Sequence, residues 1–216
     1  MEIVYFGHSC FWLKTQEAGV LMDPFADKIG MRLPKVAPDI VCCSHQHSGH
    51  NDVSQISNSA FIISAPGEYE IKNVSITGLA AWHDGVDGKD RGRNTVYIVE
   101  AEGWRLCHLG DIGHLLSDKE CDLINSVDVL MIPVGGETTI DAKQAAAVVA
   151  QLEPRLVLPM HFKTNKTAEY AKAKTPIEDF LQEMNGTRVR HEKKLKLSSI
   201  AAVESEMEIV ILERKE

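Results

Sequence analysis

The chain lacks any apolar run approaching the roughly 18 residues that a membrane-spanning helix requires, so no membrane segment is expected. Its opening, Met1-Glu2-Ile3-Val4-Tyr5-Phe6, has neither the basic start nor the long apolar middle of a signal peptide and reads as a first strand, which suggests a cytoplasmic protein. No Cys-x-x-Cys occurs, and the five cysteines (Cys10, Cys42, Cys43, Cys107, Cys121) are an odd number. Four lie in or beside apolar runs, where a thiol serves as a small hydrophobe. Adjacent strand residues point to opposite faces, so Cys42 and Cys43 read as core residues and not as a thiolate pair. No Pro/Gly/Ser-rich linker, composition break, internal repeat or low-complexity stretch divides the 216 residues, and residues 1–216 are expected to form one domain. Positive charge is in deficit: 23 Lys and Arg against 31 Asp and Glu leave a formal net charge of −8. That balance opposes a general role on nucleic-acid backbones, which need clustered cations. A small molecule is the expected partner, and a homo-oligomer is compatible with this composition.

What is present is enough to build a core, since 44% of residues are hydrophobic. Strand-like segments run from Glu2 to Phe6, Cys10 to Lys14, Gly19 to Met22, Ile40 to Ser44, Phe61 to Ser64, Val74 to Ala81, Thr95 to Glu100 and Trp104 to Leu109. Helices are fewer. Asp141 to Leu152 opens on a plausible N-cap, Thr175 to Met184 stops before Asn185-Gly186, and a shorter helix starts near Ser117. Val129 to Ile132, Leu156 to Leu158 and Glu208 to Leu212 complete the strands. Hairpins thus come first and strand–helix units later, the pattern of an α/β (α+β) protein with stacked sheets and helices outside.

Three imidazoles occupy six residues in Ser44-His45-Gln46-His47-Ser48-Gly49-His50, directly after the apolar run Ile40-Val41-Cys42-Cys43. Neutral imidazole is the commonest side-chain ligand of divalent transition metals, and three clustered histidines have no comparable packing use. Polar residues also end other apolar runs: Asp23 follows Val20-Leu21-Met22, His83 follows Leu79-Ala80-Ala81-Trp82, Asp111 follows Leu109-Gly110, and His161 follows Val157-Leu158-Pro159-Met160. Groups at strand ends are held by a rigid scaffold yet face loops, so several can converge on one site. Of the nine histidines, only His191, among Arg188, Arg190, Lys193 and Lys194, reads as plain surface.

Together with Gly7-His8-Ser9-Cys10-Phe11, Leu21-Met22-Asp23-Pro24, His83-Asp84, His108-Leu109-Gly110-Asp111, Pro133-Val134-Gly135-Gly136 and Pro159-Met160-His161, this set resembles the metallo-β-lactamase superfamily. Within it, the chain is similar to the small single-domain hydrolases that look like L-ascorbate-6-phosphate lactonases. The resemblance spans nearly the whole chain. It implies a four-layer αββα sandwich with a metal site at one edge between the sheets. It also implies one metal on His45, His47 and His83, and a second on His50 and His161, with Asp111 bridging the two. The pattern His-x-His-x-Asp-His carries an aspartate where this chain has Gly49. A carboxylate ligand of the second position is therefore missing, which predicts a weaker, differently filled or empty second site, with Asp52 near enough in sequence to compensate.

Asp23 is expected to fix the ring or backbone of the His45 loop, a support that metal-bound histidines usually need. His8 has two readings: a cleft residue that donates a proton, or a histidine satisfying a buried hydrogen bond. His108 reads as packed and hydrogen-bonded, and His114 as a loop residue. Arg91, Arg93 and Lys163 are candidates for holding an anionic substrate, since guanidinium forks suit phosphate or carboxylate; a solvated loop explains either arginine equally well. The Gly135-Gly136 pair lacks the Lys-Ser/Thr of a nucleotide-binding loop.

The functional expectation is a metal-dependent hydrolase acting on a small anionic ester, lactone or phosphoester. A divalent metal would lower the pKa of bound water to about 7, supplying metal-bound hydroxide, and would polarise the scissile group. Asp111 would orient the nucleophile. One or two ions are expected; zinc suits an imidazole-rich site, while mixed histidine and carboxylate sites also accept manganese or iron. The alternatives are a non-catalytic metal- or metabolite-binding protein and a phosphodiesterase or nuclease, the latter opposed by the acidic balance.

Overall fold

The computed structural model describes residues 1–57, 59–165, 173–198 and 206–215. In chain order the elements are β1 (Glu2–Gly7), β2 (Cys10–Lys14), β3 (Gly19–Met22), a 3₁₀ turn (Asp27–Ile29), β4 (Ile40–Cys42), β5 (Phe61–Ile63), β6 (Gly67–Ile71), β7 (Val74–Trp82), β8 (Arg93–Ala101) and β9 (Trp104–His108). They continue with α1 (Asp118–Ile124), β10 (Val129–Pro133), α2 (Ala142–Leu152), β11 (Leu156–Met160), α3 (Ile177–Glu183), β12 (Arg188–Glu192), β13 (Leu195–Lys196) and β14 (Glu208–Leu212). Two mixed sheets result, one in the order β13-β1-β2-β3-β4-β5 and the other β12-β14-β11-β10-β9-β8-β7-β6.

The alternation of side chains along each strand divides the core. In β1, Ile3 and Tyr5 face the second sheet while Val4 and Phe6 face outward; in β10, Val129 and Met131 face the first sheet while Leu130 and Ile132 face the helices. Because both faces are covered, these strands read as unbroken apolar runs. Cys42 and Cys43 fall into different clusters on opposite faces, the packing role expected of them. Ala145, Val148, Val149 and Leu152 form the buried stripe of α2, and Phe180 of α3 packs beside it. Each of the first two helices starts at a capping box, Ser117 with Glu120 and Asp141 with Gln144. The outer face of the six-stranded sheet is covered by an irregular segment, in which Phe25, Ile29, Met31 and Leu33 are buried around the 3₁₀ turn. Among the described residues no α-helix lies on that face.

Strand direction places the site. β1–β2–β3 are antiparallel and β3–β4 parallel, so β1, β3 and β4 run the same way. In the second sheet β7, β9, β10 and β11 share one direction, with β8 antiparallel between β7 and β9. His8, Asp23, His45, His83, Asp111 and His161 all follow the C-terminal ends of these strands, where ligand-binding loops of mixed and parallel sheets gather. The two sheets are tied together there. The Tyr97 hydroxyl on β8 donates to the Cys43 carbonyl (3.0 Å), and the Thr95 amide donates to the Ser44 carbonyl (2.8 Å). Pro159 ends a ladder as prolines must: β11 pairs with β14 only at Leu156 and Val157, which leaves Pro159 no donor to supply on that side.

Candidate metal centre

Asp111 lies at the focus of the strand ends. Its Oδ2 is 3.2 Å from His50 Nε2, 3.3 Å from His161 Nε2, 3.5 Å from His83 Nε2 and 3.9 Å from His45 Nε2. The carboxylate is buried, and its backbone is fixed by Asn94, which accepts from the Asp111 amide (3.0 Å) and donates to the Leu109 carbonyl (2.8 Å). Around it the imidazoles form two groups whose ligand atoms lie within 4.8 Å of one another: His45, His47 and His83 on one side, His8, His50 and His161 on the other. The structure thus brings together the six expected metal-site residues, and adds His8. The aspartate sought at Asp52 is elsewhere occupied: its carboxylate accepts the Ser54 amide (3.0 Å), capping the local turn.

A hydrogen-bonded frame orients the rings. Asp23, fully buried, accepts the Ser44 amide on Oδ1 (2.7 Å), and on Oδ2 accepts the Ser44 hydroxyl (2.6 Å) and His50 Nδ1–H (2.8 Å). With the Ser44 hydroxyl donating to Asp23, its oxygen is left to accept from His45 Nδ1 at 2.9 Å. One carboxylate therefore turns the Nε2 atoms of two different rings toward Asp111. Ser44 was not anticipated; a hydroxyl beside a histidine in a loop carries no signal in the sequence until its partner across the sheet is known. The backbone is strained where the site is built: His8 (φ 56°), Asp23 (φ 45°) and His161 (φ 51°) are all left-handed, a conformation costly for side chains other than glycine. Gly135 lets β10 and the His161 turn pass closely, since a Cβ there would lie 2.1 Å from the His161 carbonyl oxygen.

Electrostatically the cluster is unbalanced without a cation. Burial, reinforced by neighbouring rings, holds His8, His45 and His47 below the usual imidazole range, and burial also lowers His83 against the pull of Asp111. These rings are neutral at physiological pH and offer lone pairs. Burial would lower His50 too, but Asp111 and Asp23, one at each ring nitrogen, outweigh it and raise it to about 10. Burial likewise opposes ionisation of Asp111, yet His161 and His50 hold its carboxyl well below the ordinary range. Buried His45 Nε2, His83 Nδ1 and His161 Nδ1 have no hydrogen-bond partner among the described residues, and a buried polar atom left so costs on the order of 1–3 kcal/mol. Converging neutral nitrogens around one anionic oxygen suit a divalent transition metal, which the donor set fits.

The cluster opens onto a cavity of about 510 Å³, lined also by Lys28, Gln46, Arg91 and Thr138, within the range of small-molecule sites. A neighbouring cavity of about 420 Å³ shares Gln46, His47 and Arg91 with it and is walled by Arg93 and Pro66. Arg91 thus faces both spaces and Arg93 one. Lys163 lines neither; its amide donates to the Thr175 carbonyl (2.8 Å), and Lys28, from the 3₁₀ turn, is the lysine at the cavity wall. The Arg91 loop is anchored by Asp84, whose carboxylate accepts four backbone amides, Val86 (2.9 Å), Gly88 (2.8 Å), Asp90 (3.1 Å) and Arg91 (2.8 Å). Desolvation opposes ionisation there, but the four donors lower the Asp84 pKa to about 2. His108 is a buried structural histidine: its Nε2–H donates to the Ser9 carbonyl (2.8 Å) and Nδ1 accepts from Gly110 (3.1 Å). His114 stays outside the cavity, taking the Trp82 amide at 3.3 Å. The His8 ring lines the cavity beside His50 and His161, the cleft position of its two readings.

Comparison with known proteins agrees with this geometry. Residues 2–161 match a family model described as the beta-lactamase superfamily domain. A Thermotoga maritima protein, named as a candidate zinc-dependent hydrolase of the metallo-beta-lactamase superfamily, superposes with a TM-score of 0.80 at 32% identity, covering 98% of this chain and 97% of its own. The UPF0173 metal-dependent hydrolase of Pyrococcus abyssi is 27% identical over 194 residues, 76% of this chain and 85% of that protein. Igni18, a metallo hydrolase from Ignicoccus hospitalis, shares the fold with a TM-score of 0.71 at 20% identity, covering 100% and 96% of the two chains. With a family model matched over residues 2–161 and a 32% identical relative aligned along almost its full length, the chain belongs to the metallo-β-lactamase superfamily.

Proposed function

We propose that this chain is a metal-dependent hydrolase of a small anionic ester, lactone or phosphoester. The observation that carries the reading is the single buried carboxylate oxygen of Asp111 facing imidazoles from both sides, 3.2 to 3.9 Å away, at the floor of a cavity of about 510 Å³. The names of the Pyrococcus and Thermotoga relatives support the same class. His45, His47 and His83 would hold one ion, His50 and His161 a second, and Asp111 would lie between them. Zinc suits this nitrogen-rich set best, with manganese or iron as the other candidates. When bound, the metal supplies an acidified water and an electrophile for the scissile oxygen.

The chain's own groups do the rest. Asp111 Oδ2 faces the space between the ring groups, where its carboxylate, kept ionised by His161 and His50, would accept a hydrogen bond from an attacking water and orient it. Asp23 keeps His50 and, through Ser44, His45 in one tautomer. Arg91, with Arg93 in the adjoining space, would bind the anionic part of the substrate by guanidinium forks. A lactone or ester bearing a phosphate would place its charge there and its carbonyl over the centre. A screen of lactones, phosphoesters and neutral acyl esters with metal-reconstituted protein tests the reading: turnover is expected only with metal and is fastest for anionic substrates. No turnover of any member by protein of known metal content would count against it.

A further inference from the structure

Gly49 lies between His47 and His50, and its surroundings are informative. A Cβ built at Gly49 would lie 2.6 Å from His8 Nε2 and 3.0 Å from His8 Cδ2. No real Cβ approaches so closely, so any side chain at residue 49 and the present His8 ring exclude one another. The His8 ring is packed between the two remaining rings of its group, with centroids 4.7 Å from His50 and 4.4 Å from His161. It is held there by its backbone: the His8 carbonyl accepts both the Tyr5 hydroxyl (2.8 Å) and the His161 amide (2.9 Å), which stabilises the left-handed φ of 56°. A strained, doubly fastened residue whose ring nitrogen lies within 4.8 Å of those of two metal-ligating candidates has the features of a built ligand position. Asp52 and Asp23, the nearby carboxylates, are committed to Ser54 and to Ser44 and His50 respectively.

We propose that His8 is the third protein ligand of the second metal position, occupying with a neutral nitrogen the space that a side chain at residue 49 would fill, and that Gly49 is present to admit it. The inference rests on the metal-centre reading above and adds the identity of the missing ligand. Its chemical consequence is a pair of matched positions, each with three imidazoles and the shared Asp111. The second position loses a negative charge and gains a borderline-soft donor. Such a site favours zinc or cobalt over manganese, which prefers oxygen. The second ion would also keep more of its positive charge, strengthening its attraction for an anionic substrate.

The experiment titrates metal-free protein with Co²⁺ and separately with Mn²⁺, reading the number and affinity of binding events by calorimetry. It also follows the ring nitrogens of ¹⁵N-histidine-labelled protein by NMR during Zn²⁺ addition. Wild type, His8→Ala, and the exchange variant His8→Ala/Gly49→Asp are compared, with circular dichroism to verify folding. Wild type should bind two Co²⁺, with a His8 ring nitrogen shifting on the second Zn²⁺ equivalent. His8→Ala should retain the first event and weaken the second by at least about tenfold, the scale at which even supporting residues act. The exchange variant should recover the second event and bind Mn²⁺ more tightly than wild type does. Two unchanged events in His8→Ala, or a second event that stays weak in a folded exchange variant, would overturn the assignment of His8 while leaving the first metal position standing. Failure of wild type to bind any Co²⁺ would instead overturn the metal-centre reading itself.

Discussion

Replacing Asp23 with asparagine isolates how the frame sets the chemistry of the rings, because it changes a proton pattern and almost no volume. The Ser44 amide can only donate, so the asparagine must keep its carbonyl oxygen where Asp23 Oδ1 now accepts at 2.7 Å. Its amide nitrogen is then forced into the place of Oδ2, facing the Ser44 hydroxyl at 2.6 Å and His50 Nδ1 at 2.8 Å. His50, protonated on both nitrogens in the metal-free chain, must become the acceptor at Nδ1, which leaves its one remaining proton on Nε2, the nitrogen 3.2 Å from Asp111. The lone pair needed for a metal is gone. The Ser44 hydroxyl oxygen, now accepting a hydrogen bond from the amide, turns its own O–H to donate to His45 Nδ1 and disturbs that ring in the same way. Loss of such support costs about 10- to 100-fold in metal affinity, or roughly 1.4 to 2.7 kcal/mol per ion. Competition of metal-free protein against a chromophoric chelator measures it directly. An Asp23→Asn variant that is folded and binds metal within twofold of wild type would refute the tautomer reasoning.

Other consequences follow from the same geometry. Asp111→Asn keeps the shape of the central group but removes the charge shared by both ring groups; turnover is expected to fall on the order of 100- to 1,000-fold, about 3 to 4 kcal/mol, by analogy with oxyanion donors, and steady-state kinetics at matched metal content would expose a smaller loss. Arg91→Gln should raise KM for anionic substrates and leave that for a neutral ester nearly unchanged, while Lys163→Gln should change neither, because Lys163 lines neither cavity. Asp84 has a depressed pKa in the folded chain, so the anchoring of the 85–92 loop is complete above about pH 4 and is lost as pH falls toward about 2. Protease nicking of that loop should accordingly rise at neutral pH in Asp84→Ala, and an unchanged nicking rate would contradict the anchor.

Much of the site was legible in the sequence because its residues interrupt apolar runs. Asp23, His45, Asp111 and His161 stand just beyond strands buried on both faces, and His83 beyond one buried on alternate residues, so the end of hydrophobicity marks the end of the strand and the start of the cleft. Edge strands gave no such signal. β12, Arg-Val-Arg-His-Glu, and β6, Gly-Glu-Tyr-Glu-Ile, carry the charges that protect exposed edges, and β13 is two residues long. His191 read as surface, and it is exposed, but on a strand. α3 starts two residues after Thr175 because Pro176 stands at its N-cap. Contacts between strand ends of one sheet were invisible for a different reason: the approach of His8 to Gly49 and of Ser44 to Asp23 joins segments far apart in sequence, and only the strand order of the six-stranded sheet reveals them. Lys28 and Lys163 show the same limit, since proximity to a ligand along the chain does not fix the side from which a long side chain enters.

The central claim is that the strand-end histidines form a metal centre on which hydrolysis depends. Elemental analysis of wild type and of His45→Ala/His47→Ala, with activity on the best substrate of the screen measured on the same samples, tests it most directly. The account predicts that the double variant folds, loses an ion and loses its turnover. Unchanged metal content in the double variant, or full activity in protein stripped of metal, would contradict it.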